Sequence, residues 1–320
     1  MPQILKNRDV HIKIPADLPF LKSVCWQIKD TSHFTLPEML NRYERGWKYQ
    51  GVLADLEGEE LDFVHNLAKK TDSWISRDAE LDHHQKVITV LKALRSDFFV
   101  EISAYFGGGT LLTLSYDEYR QSKDIDFICP IGNGYRRLRT EIYDKNYDAV
   151  FKDFSQISLP REIKADQYGV RFLVKVEDVP LKLEIVAEAR ISLQAPEFHD
   201  WSAGVPCLSL TDAWAEKLLS NSDRWADRAV ESRDLIDLSI LRLQSEIPEH
   251  SIEKAESAYP VIRPLEKSVR FFQAEPGYRN TCFSSLQVKN RAKIIDGLDL
   301  LASDFGISST KRRDDEYPDF

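Results

Sequence analysis

The fold is decided by residues 106–130, which read FGGGTLLTLSYDEYRQSKDIDFICP. Three consecutive glycines precede Thr110 and the apolar run LLTL, a pattern that predicts a tight turn leading into a helix. Such a turn leaves backbone N–H groups bare at the start of the helix, where they favour an anion. The spacing is neither GxxxxGK[ST] nor GxGxxG, so the loop differs from a P-loop and from a dinucleotide-binding fingerprint.

Residues 124–128, DIDFI, alternate polar and apolar side chains, as a strand with one buried face does. We expect Ile125 and Phe127 in the core. Asp124 and Asp126 are then expected on the opposite face, about 6.6 Å apart along the strand. Two carboxylates facing the same space suit Mg²⁺, which proteins bind through one or two carboxylates plus substrate phosphates. Because a lone DxD is more often solvated, the metal interpretation depends on the surrounding sequence.

The composition is that of an ordinary globular protein: 320 residues, 42% hydrophobic and 30% charged, with a net charge of -9. No apolar run reaches the roughly 18 residues that a membrane span needs. The first 20 residues contain no apolar stretch of signal-peptide length. We therefore expect no membrane partner and a cytoplasmic location. The four cysteines lie far apart in the sequence, which excludes a CxxC pair or a zinc-ribbon spacing.

Shifts in periodicity divide the chain. Residues 1–84 predict mainly helices, with capping-box spacing at Thr35 and Glu38. One face of that region carries Leu61, Val64, Leu67 and Ala68. Residues 85–205 mix helices with short strands, residues 206–306 return to a helical period that Gly306 could cap, and residues 307–320 predict a flexible tail. The expected fold class is α+β: a small mixed sheet as the core, a helical N-terminal extension and a C-terminal helical bundle.

Residues 106–127 resemble the AbiEii/AbiGii-type branch of the polymerase-beta-like nucleotidyltransferases, whose pattern is hGG[ST]xL followed by RxSxDhDF. The matching side chains are Arg120, Ser122, Asp124, Asp126 and Phe127. A second block, residues 214–241, is similar to the KLxA…R…RDxxDL helix-pair motif of the same family. Its motif positions are occupied by Lys217, Arg228, Arg233, Asp234 and Asp237. The resemblance runs from about residue 85 to 300 and implies that the sheet region is a nucleotidyltransferase core.

The resemblance implies an NTP substrate with Mg²⁺, in-line attack of an acceptor hydroxyl on the α-phosphate, and release of pyrophosphate. Asp124 and Asp126 would hold the metals of a two-metal site. Lys217 would act as a point charge on the phosphates, with Asp234 as a further catalytic residue on the neighbouring helix. The implied nucleotide-binding residues are Gly108, Gly109, Thr110, Arg120, Ser122 and Asp237. Taken alone, Arg233 and Asp237 at i and i+4 would be a plain surface pair.

A third metal ligand is expected from a strand beside DIDFI. In residues 181–186, LKLEIV, the alternation buries Leu181, Leu183 and Ile185 and leaves Glu184 on the open face. The family resemblance places an acid after a lysine in this region, which makes Glu184 the candidate catalytic residue and ligand. Glu184 or Asp126 could also deprotonate the attacking hydroxyl. A purely structural role for Glu184 stays open.

Family members of this type are toxins of bacterial toxin–antitoxin or phage-defence systems, and some modify tRNA ends. The resemblance therefore implies an RNA or tRNA acceptor and a cognate antitoxin as partners. Residues 261–293 are rich in basic side chains interleaved with Phe271, Phe272 and Tyr278, a composition that could form a phosphate-and-base platform. The candidate RNA-binding residues are Lys289, Arg291 and Lys293, together with Arg136 and Arg137.

Three alternatives stay open. Residues 261–293 could instead form amphipathic helices whose aromatic side chains are core and whose charges are solvated. The acceptor of the nucleotidyltransferase could be a protein or a small molecule, which would suit the acidic composition. A third possibility is a non-catalytic, NTP-binding regulatory module.

Overall fold

The structure is a computed structural model that describes residues 14–312, apart from residues 27, 29–30, 32, 50–52, 55, 57, 72 and 198–199. By its contacts the chain divides into two compact units, Met1–His83 and His84–Phe320. No helix in the described part of the chain has the length and hydropathy needed to span a membrane.

The first unit is helical, as the sequence predicts. Its helices are α1 (Pro19–Val24), α2 (Leu36–Gly46) and α3 (Gly58–Lys70), with a 3₁₀ turn at Trp47–Tyr49. The predicted capping box begins α2: the Thr35 backbone N–H donates to the Glu38 carboxylate at 2.8 Å. Val64, Leu67 and Ala68 are buried as predicted. Helix α4 (Trp74–Ala93) begins in this unit and ends in the second.

The second unit contains a five-stranded mixed sheet. Its strands are β1 (Tyr105–Gly107), β2 (Ile125–Pro130), β3 (Lys164–Ala165), β4 (Gly169–Val176) and β5 (Val179–Glu188). They lie in the order β1-β2-β5-β4-β3, and only the β2 and β5 pair is parallel among them. The flanking helices are α5 (Ser96–Glu101), α6 (Gly108–Ser115) and α7 (Asn133–Lys145), and a 3₁₀ turn follows at Asn146–Ala149. A two-stranded hairpin, β6 (Trp201–Ser202) with β7 (Val205–Pro206), leads into the bundle.

The bundle follows the sheet within the same compact unit. Its helices are α8 (Leu210–Arg224), α9 (Arg233–Gln244), α10 (Glu249–Glu256), α11 (Ile262–Ala274), α12 (Pro276–Ser285) and α13 (Arg291–Asp304), with a 3₁₀ turn at Arg228–Val230. Gly306 ends α13 as predicted, at a left-handed φ of 64°. The Ile307 N–H donates to the Ala302 carbonyl at 2.8 Å, and the Gly306 N–H donates to Ser303 at 3.1 Å. These two bonds form a Schellman cap.

The predicted α+β class, with its mixed sheet, is confirmed. The start of the predicted tail differs from expectation, because residues 307–312 pack against α13. Ile307 and Thr310 are buried, and the Thr310 hydroxyl donates to Asp299 at 2.6 Å. The Arg312 guanidinium donates to Asp296. The rest of the predicted tail, residues 313–320, lies outside the described residues.

Candidate active site

Strand β2 opens onto a cleft of about 400 Å³ within the second unit. Ile125 and Phe127 are buried in the core, and Asp124 and Asp126 line the cleft, as the alternation predicts. The register places Asp126 opposite Gly107 of β1 on one side and opposite Glu184 of β5 on the other. The strand therefore brings three acidic residues to one end of the sheet. The other walls of the cleft include Gly108, Gly109, Arg120, Ser122, Lys182, Lys217, Arg224 and Arg233.

The glycine loop packs directly against the carboxylate strand. Gly108 has a left-handed φ of 70°, and a Cβ placed on it would lie 2.6 Å from Asp126 Oδ2. A Cβ on Gly109 would lie 2.2 Å from the Arg120 guanidinium. Only glycine allows this approach, and it leaves the N–H groups at the start of α6 bare beside the two aspartates. Both glycines line the cleft, in the positions the sequence predicts for phosphate contacts.

Thr110 is not exposed to the cleft. Its side chain is fully buried, and its hydroxyl donates to the Asp124 carbonyl and lies within hydrogen-bond distance of Ser122 Oγ, at 2.8 Å. Thr110 therefore fixes the segment that carries Ser122 and Asp124. The prediction that Thr110 contacts the nucleotide is corrected to a positioning role. Ser122 itself does line the cleft.

Lys217 reaches the cleft from α8 and is held by two carboxylates of α9. Its ammonium lies 3.1 Å from Asp234 Oδ1 and 2.6 Å from Asp237 Oδ2. Burial alone would raise the pKa of Asp234, but Lys217 and Arg224 lower it well below its usual range. Both aspartates are buried and do not line the cleft. Asp234 and Asp237 therefore orient Lys217, and Asp234 also orients Arg224. Because they are buried behind these cations, the prediction that they contact the substrate is corrected.

Arg120 combines a place in the cleft wall with a buried ion pair. Its Nε and Nη2 donate to the two oxygens of Asp237 at 2.6 and 2.8 Å. The Tyr119 hydroxyl donates to the same carboxylate at 2.6 Å. Against the effect of burial, Arg120 and then Lys217 lower the pKa of Asp237. The two helices of the predicted motif thus contribute to a charged network that ties the sheet to the bundle. Arg120 donates to Asp237 through Nε and Nη2 and to the Gln121 carbonyl through Nη1.

Glu184 lies on the predicted face of the strand, but both of its carboxylate oxygens are already bonded to cationic side chains. Arg171 Nε donates to its Oε1 at 2.5 Å, and Lys182 Nζ donates to its Oε2 at 2.6 Å. Although burial acts in the opposite direction, these two bonds lower the pKa of Glu184. No group of three or more His, Cys, Asp or Glu side chains in the described residues is arranged to hold a metal ion. The prediction of Glu184 as a third ligand is therefore not supported by this geometry.

Asp124 and Asp126 form a donor set that fits a metal carried by phosphates. Burial and the neighbouring Asp124 raise the pKa of Asp126 to about 6, although Lys217 acts in the opposite direction. The pair is therefore short of positive charge. Mg²⁺ typically uses one or two protein carboxylates and completes its shell with substrate phosphates and water. This requirement matches two aspartates beside a bare glycine loop.

The five predicted RNA contacts lie outside the cleft. Lys289 and Lys293 pair with Glu118 and Asp117, each at 3.0 Å. Arg291 Nη1 donates to the Asn280 side chain at 3.0 Å. On α7, Arg137 pairs with Glu101 at 2.5 Å, and Arg136 is exposed. Phe272, expected in the stacking platform, is fully buried in the bundle core.

Residues 89–266 match the family model described as nucleotidyl transferase AbiEii toxin, type IV toxin–antitoxin system. The match covers more than half of the chain. The chain belongs to the AbiEii family. Membership supports nucleotidyl transfer in a toxin–antitoxin context.

Two crystal structures from Helicobacter pylori are similar to this AbiEii-family chain. One is a candidate nucleotidyltransferase with 19% identity and a TM-score of 0.39, and the similarity covers 70% of this chain and 93% of that one. The other is JHP933, with 18% identity and a TM-score of 0.37, covering 70% of this chain and 90% of that one. A search of curated proteins found no match.

The sequence analysis assigned no role to three cations that line the cleft of this AbiEii-family chain: Lys182, Arg190 and Arg224. Arg190 pairs with Glu188 at 2.6 Å and with Glu216 at 2.9 Å. Lys182 lines the cleft beside Glu184. Arg224 lines it from the end of α8 and donates to Asp234 through Nε at 2.6 Å and Nη2 at 2.9 Å. Its Nη1 has no partner among the described residues. Arg224 is seven positions after Lys217, two turns along one helix face, and that spacing is the signal that could have found it.

Proposed function

We propose that this AbiEii-family chain transfers an NMP from an NTP to an acceptor hydroxyl on RNA, with Mg²⁺, as a cytoplasmic toxin controlled by a cognate antitoxin. The observation that carries the proposal is that Asp124 and Asp126, from the sheet, line the same cleft as Lys217 and Arg224, from α8. Two carboxylates together with several cations in one cleft suit a metal-bound triphosphate. Phosphoryl transfer needs positioning and charge stabilisation more than covalent chemistry from the protein.

Each group of cleft residues has a separate role in the proposed reaction. Asp124 and Asp126 hold the metal, which when bound neutralises charge on the phosphates as the acceptor oxygen attacks. The N–H groups at Gly108 and Gly109 contact phosphate oxygens. Lys217 stabilises charge on the transferring group, and its two aspartate partners keep it in place. Asp126 is the remaining candidate for accepting the proton of the hydroxyl, since both oxygens of Glu184 are engaged.

The test uses each α-labelled NTP in turn with Mg²⁺ and total bacterial RNA, followed by separation of RNA, protein and small molecules. Label is expected on RNA. Asp126→Asn should reduce transfer by at least about 100-fold, since it removes a main electrostatic contributor. Asp178→Asn makes the same change at an exposed position between β4 and β5 and should leave transfer unchanged. Label on protein or a small molecule would replace the RNA acceptor, and equal activity of Asp126→Asn would remove the metal site.

A further inference from the structure

Five side chains from three segments of the bundle meet in one cluster, which we call the aromatic shelf: Trp225, Arg228, Lys267, Phe271 and Tyr278. Trp225 directly follows α8, and Arg228 begins the 3₁₀ turn after it. Lys267 and Phe271 are on α11, and Tyr278 is on α12. The three aromatic side chains are half-buried, and the two basic ones are exposed. The shelf is thus a surface feature with ring faces and positive charge together.

The contacts within the shelf are stacking contacts between rings and cations. The Arg228 guanidinium carbon lies 5.3 Å from the ring centroids of both Phe271 and Tyr278. Lys267 Nζ lies 5.9 Å from the Trp225 ring. Phe271 joins the two halves, with centroid distances of 6.5 Å to Trp225 and 5.3 Å to Tyr278. These cations are held by aromatic rings rather than by carboxylates.

The shelf carries excess positive charge. Arg263, Lys267 and Arg270 recur at helical spacing on α11, and all three are exposed. In the part of the chain that the structure describes, none of them has a carboxylate within salt-bridge distance, and the same holds for Arg228. The acids near the shelf are Glu266, half-buried on α11, Asp227, which accepts the Ala229 N–H at 2.9 Å, Glu275, exposed just before α12, and Glu231, which accepts from the Ser285 hydroxyl. A polyanion is the ligand that this charge favours.

Two arginines that line the active-site cleft are close in sequence to the shelf. Arg224, which lines the cleft, is the residue before Trp225. Arg233, at the start of α9, also lines the cleft and follows the turn that carries Arg228. Arg224 and Arg233 therefore link the shelf to the cleft along the backbone.

We propose that the aromatic shelf binds the single-stranded end of the RNA acceptor and leads its terminal hydroxyl toward the cleft, an inference that rests on RNA being the acceptor. Single-stranded RNA presents unstacked bases that stack on aromatic rings and guanidinium planes. In a duplex the same bases are already stacked. The combination of ring faces with cations therefore favours a single strand over a duplex, and over an acidic protein surface, which has no bases to stack.

The test measures binding without catalysis. The full-length protein is titrated into a fluorescein-labelled 12-nucleotide single-stranded RNA of mixed sequence, without NTP, and anisotropy is recorded at several salt concentrations. Arg228→Ala with Lys267→Ala should flatten the slope of log affinity against log salt by about 1.4, the value for two phosphate contacts on a single strand. Trp225→Ala should weaken binding about fivefold or more with an unchanged slope, because it removes stacking alone. Lys152→Ala, an exposed cation of the sheet domain, is the control.

The outcomes separate this inference from the proposed transferase activity. Unchanged affinity in both shelf variants, with the parent binding RNA, would overturn the shelf and leave the activity standing. Equal affinity of the parent for a blunt RNA duplex would overturn the single-strand assignment. Circular dichroism of each variant checks the fold, and Trp225→Phe, which keeps a ring, should restore most of the binding that Trp225→Ala loses.

Discussion

Arg120 and Asp237 form a buried, two-bonded ion pair that joins the segment leading into the carboxylate strand to the second helix of the bundle. The donor to acceptor distances are 2.6 and 2.8 Å. Asp237 also lies 2.6 Å from Lys217 Nζ. One carboxylate thus neutralises two buried cations, one from each half of the active-site unit. The glycine loop packs on Arg120 and the cleft depends on Lys217, so Asp237 sets the geometry of both walls.

Asp237→Asn is expected to destabilise the protein strongly, because an amide leaves the buried Arg120 without its compensating charge and leaves Lys217 with Asp234 alone. Breaking a buried pair typically costs about 3–5 kcal/mol. Urea unfolding followed by circular dichroism gives the free energy of unfolding. Asp304→Asn is the matched control, since Asp304 accepts the same two-bonded contact from Arg242, but closer to the surface. That change should cost less than about 1 kcal/mol, and equal losses in the two variants would contradict the assignment.

The sequence predicts local features of the site well. Alternation in DIDFI places Asp124 and Asp126 on the open face, and alternation in LKLEIV does the same for Glu184. Both predictions need only the two-residue period of a strand. The cap at Gly306 likewise depends on a few neighbouring residues.

Long-range pairing is where the prediction fails. Nothing near Glu184 in the sequence indicates that Arg171, on another strand, engages one of its oxygens. Nothing near Lys289 indicates that it pairs with Glu118, 171 residues away. A basic residue looks the same in sequence whether its partner is a phosphate or a distant carboxylate. Residue types and local period therefore located the site, but only the tertiary fold distinguishes substrate contacts from internal ones.

Gly108→Ala should impair transfer more than it impairs folding. The added Cβ would lie 2.6 Å from Asp126 Oδ2, so the carboxylate must move, and the positive φ adds about 1–2 kcal/mol of strain. We expect transfer to fall at least about tenfold, since small displacements at a reacting centre are costly. Gly277→Ala is the control because a Cβ there meets nothing within 4 Å. Labelled-NTP transfer and thermal unfolding are measured on both variants. A loss of stability in Gly108→Ala without a loss of transfer would contradict the prediction.

Glu216→Gln should change how stability depends on pH. Glu216 lies on α8 and lines the cleft. Burial, and then Glu188, raise its pKa to about 8, although Arg190, which donates to Glu216 Oε2 at 2.9 Å, acts in the opposite direction. The folded protein therefore keeps a proton that the unfolded chain loses near the usual value of 4.5. The stability that this proton contributes is fully present below pH 4.5 and is lost as the pH rises to 8. Glutamine carries no such proton and can donate to Glu188 in its place. The free energy of unfolding of the variant should therefore increase relative to that of the parent between pH 4.5 and pH 8, by on the order of 2 kcal/mol. Above pH 8 the difference should stay constant.

The measurement for Glu216→Gln is urea unfolding at steps from pH 4.5 to pH 9. Glu253→Gln, an exposed acid on α10, is the control and should show a pH dependence parallel to that of the parent. A difference between Glu216→Gln and the parent that stays constant across the range would contradict the raised pKa.

Charge reversal at Lys289 should damage the fold and spare RNA binding, whereas the same reversal at Lys267 should do the opposite. Lys289 donates to Glu118 at 3.0 Å, and Glu118 also contacts His84 Nδ1 at 2.6 Å. Glu118 sits at a left-handed φ of 48°, in the turn that leads to Arg120. Lys289→Glu places two like charges together there and should lower the free energy of unfolding by about 1 kcal/mol, since the pair is partly exposed. The double variant Lys289→Glu with Glu118→Lys should recover part of that loss.

Lys267→Glu should unfold like the parent but bind the 12-nucleotide RNA more weakly and with a smaller salt slope. If Lys289→Glu weakened RNA binding as much as Lys267→Glu while its unfolding stayed that of the parent, Lys289 would be a phosphate contact after all, and the binding surface would have to extend from the shelf toward α13.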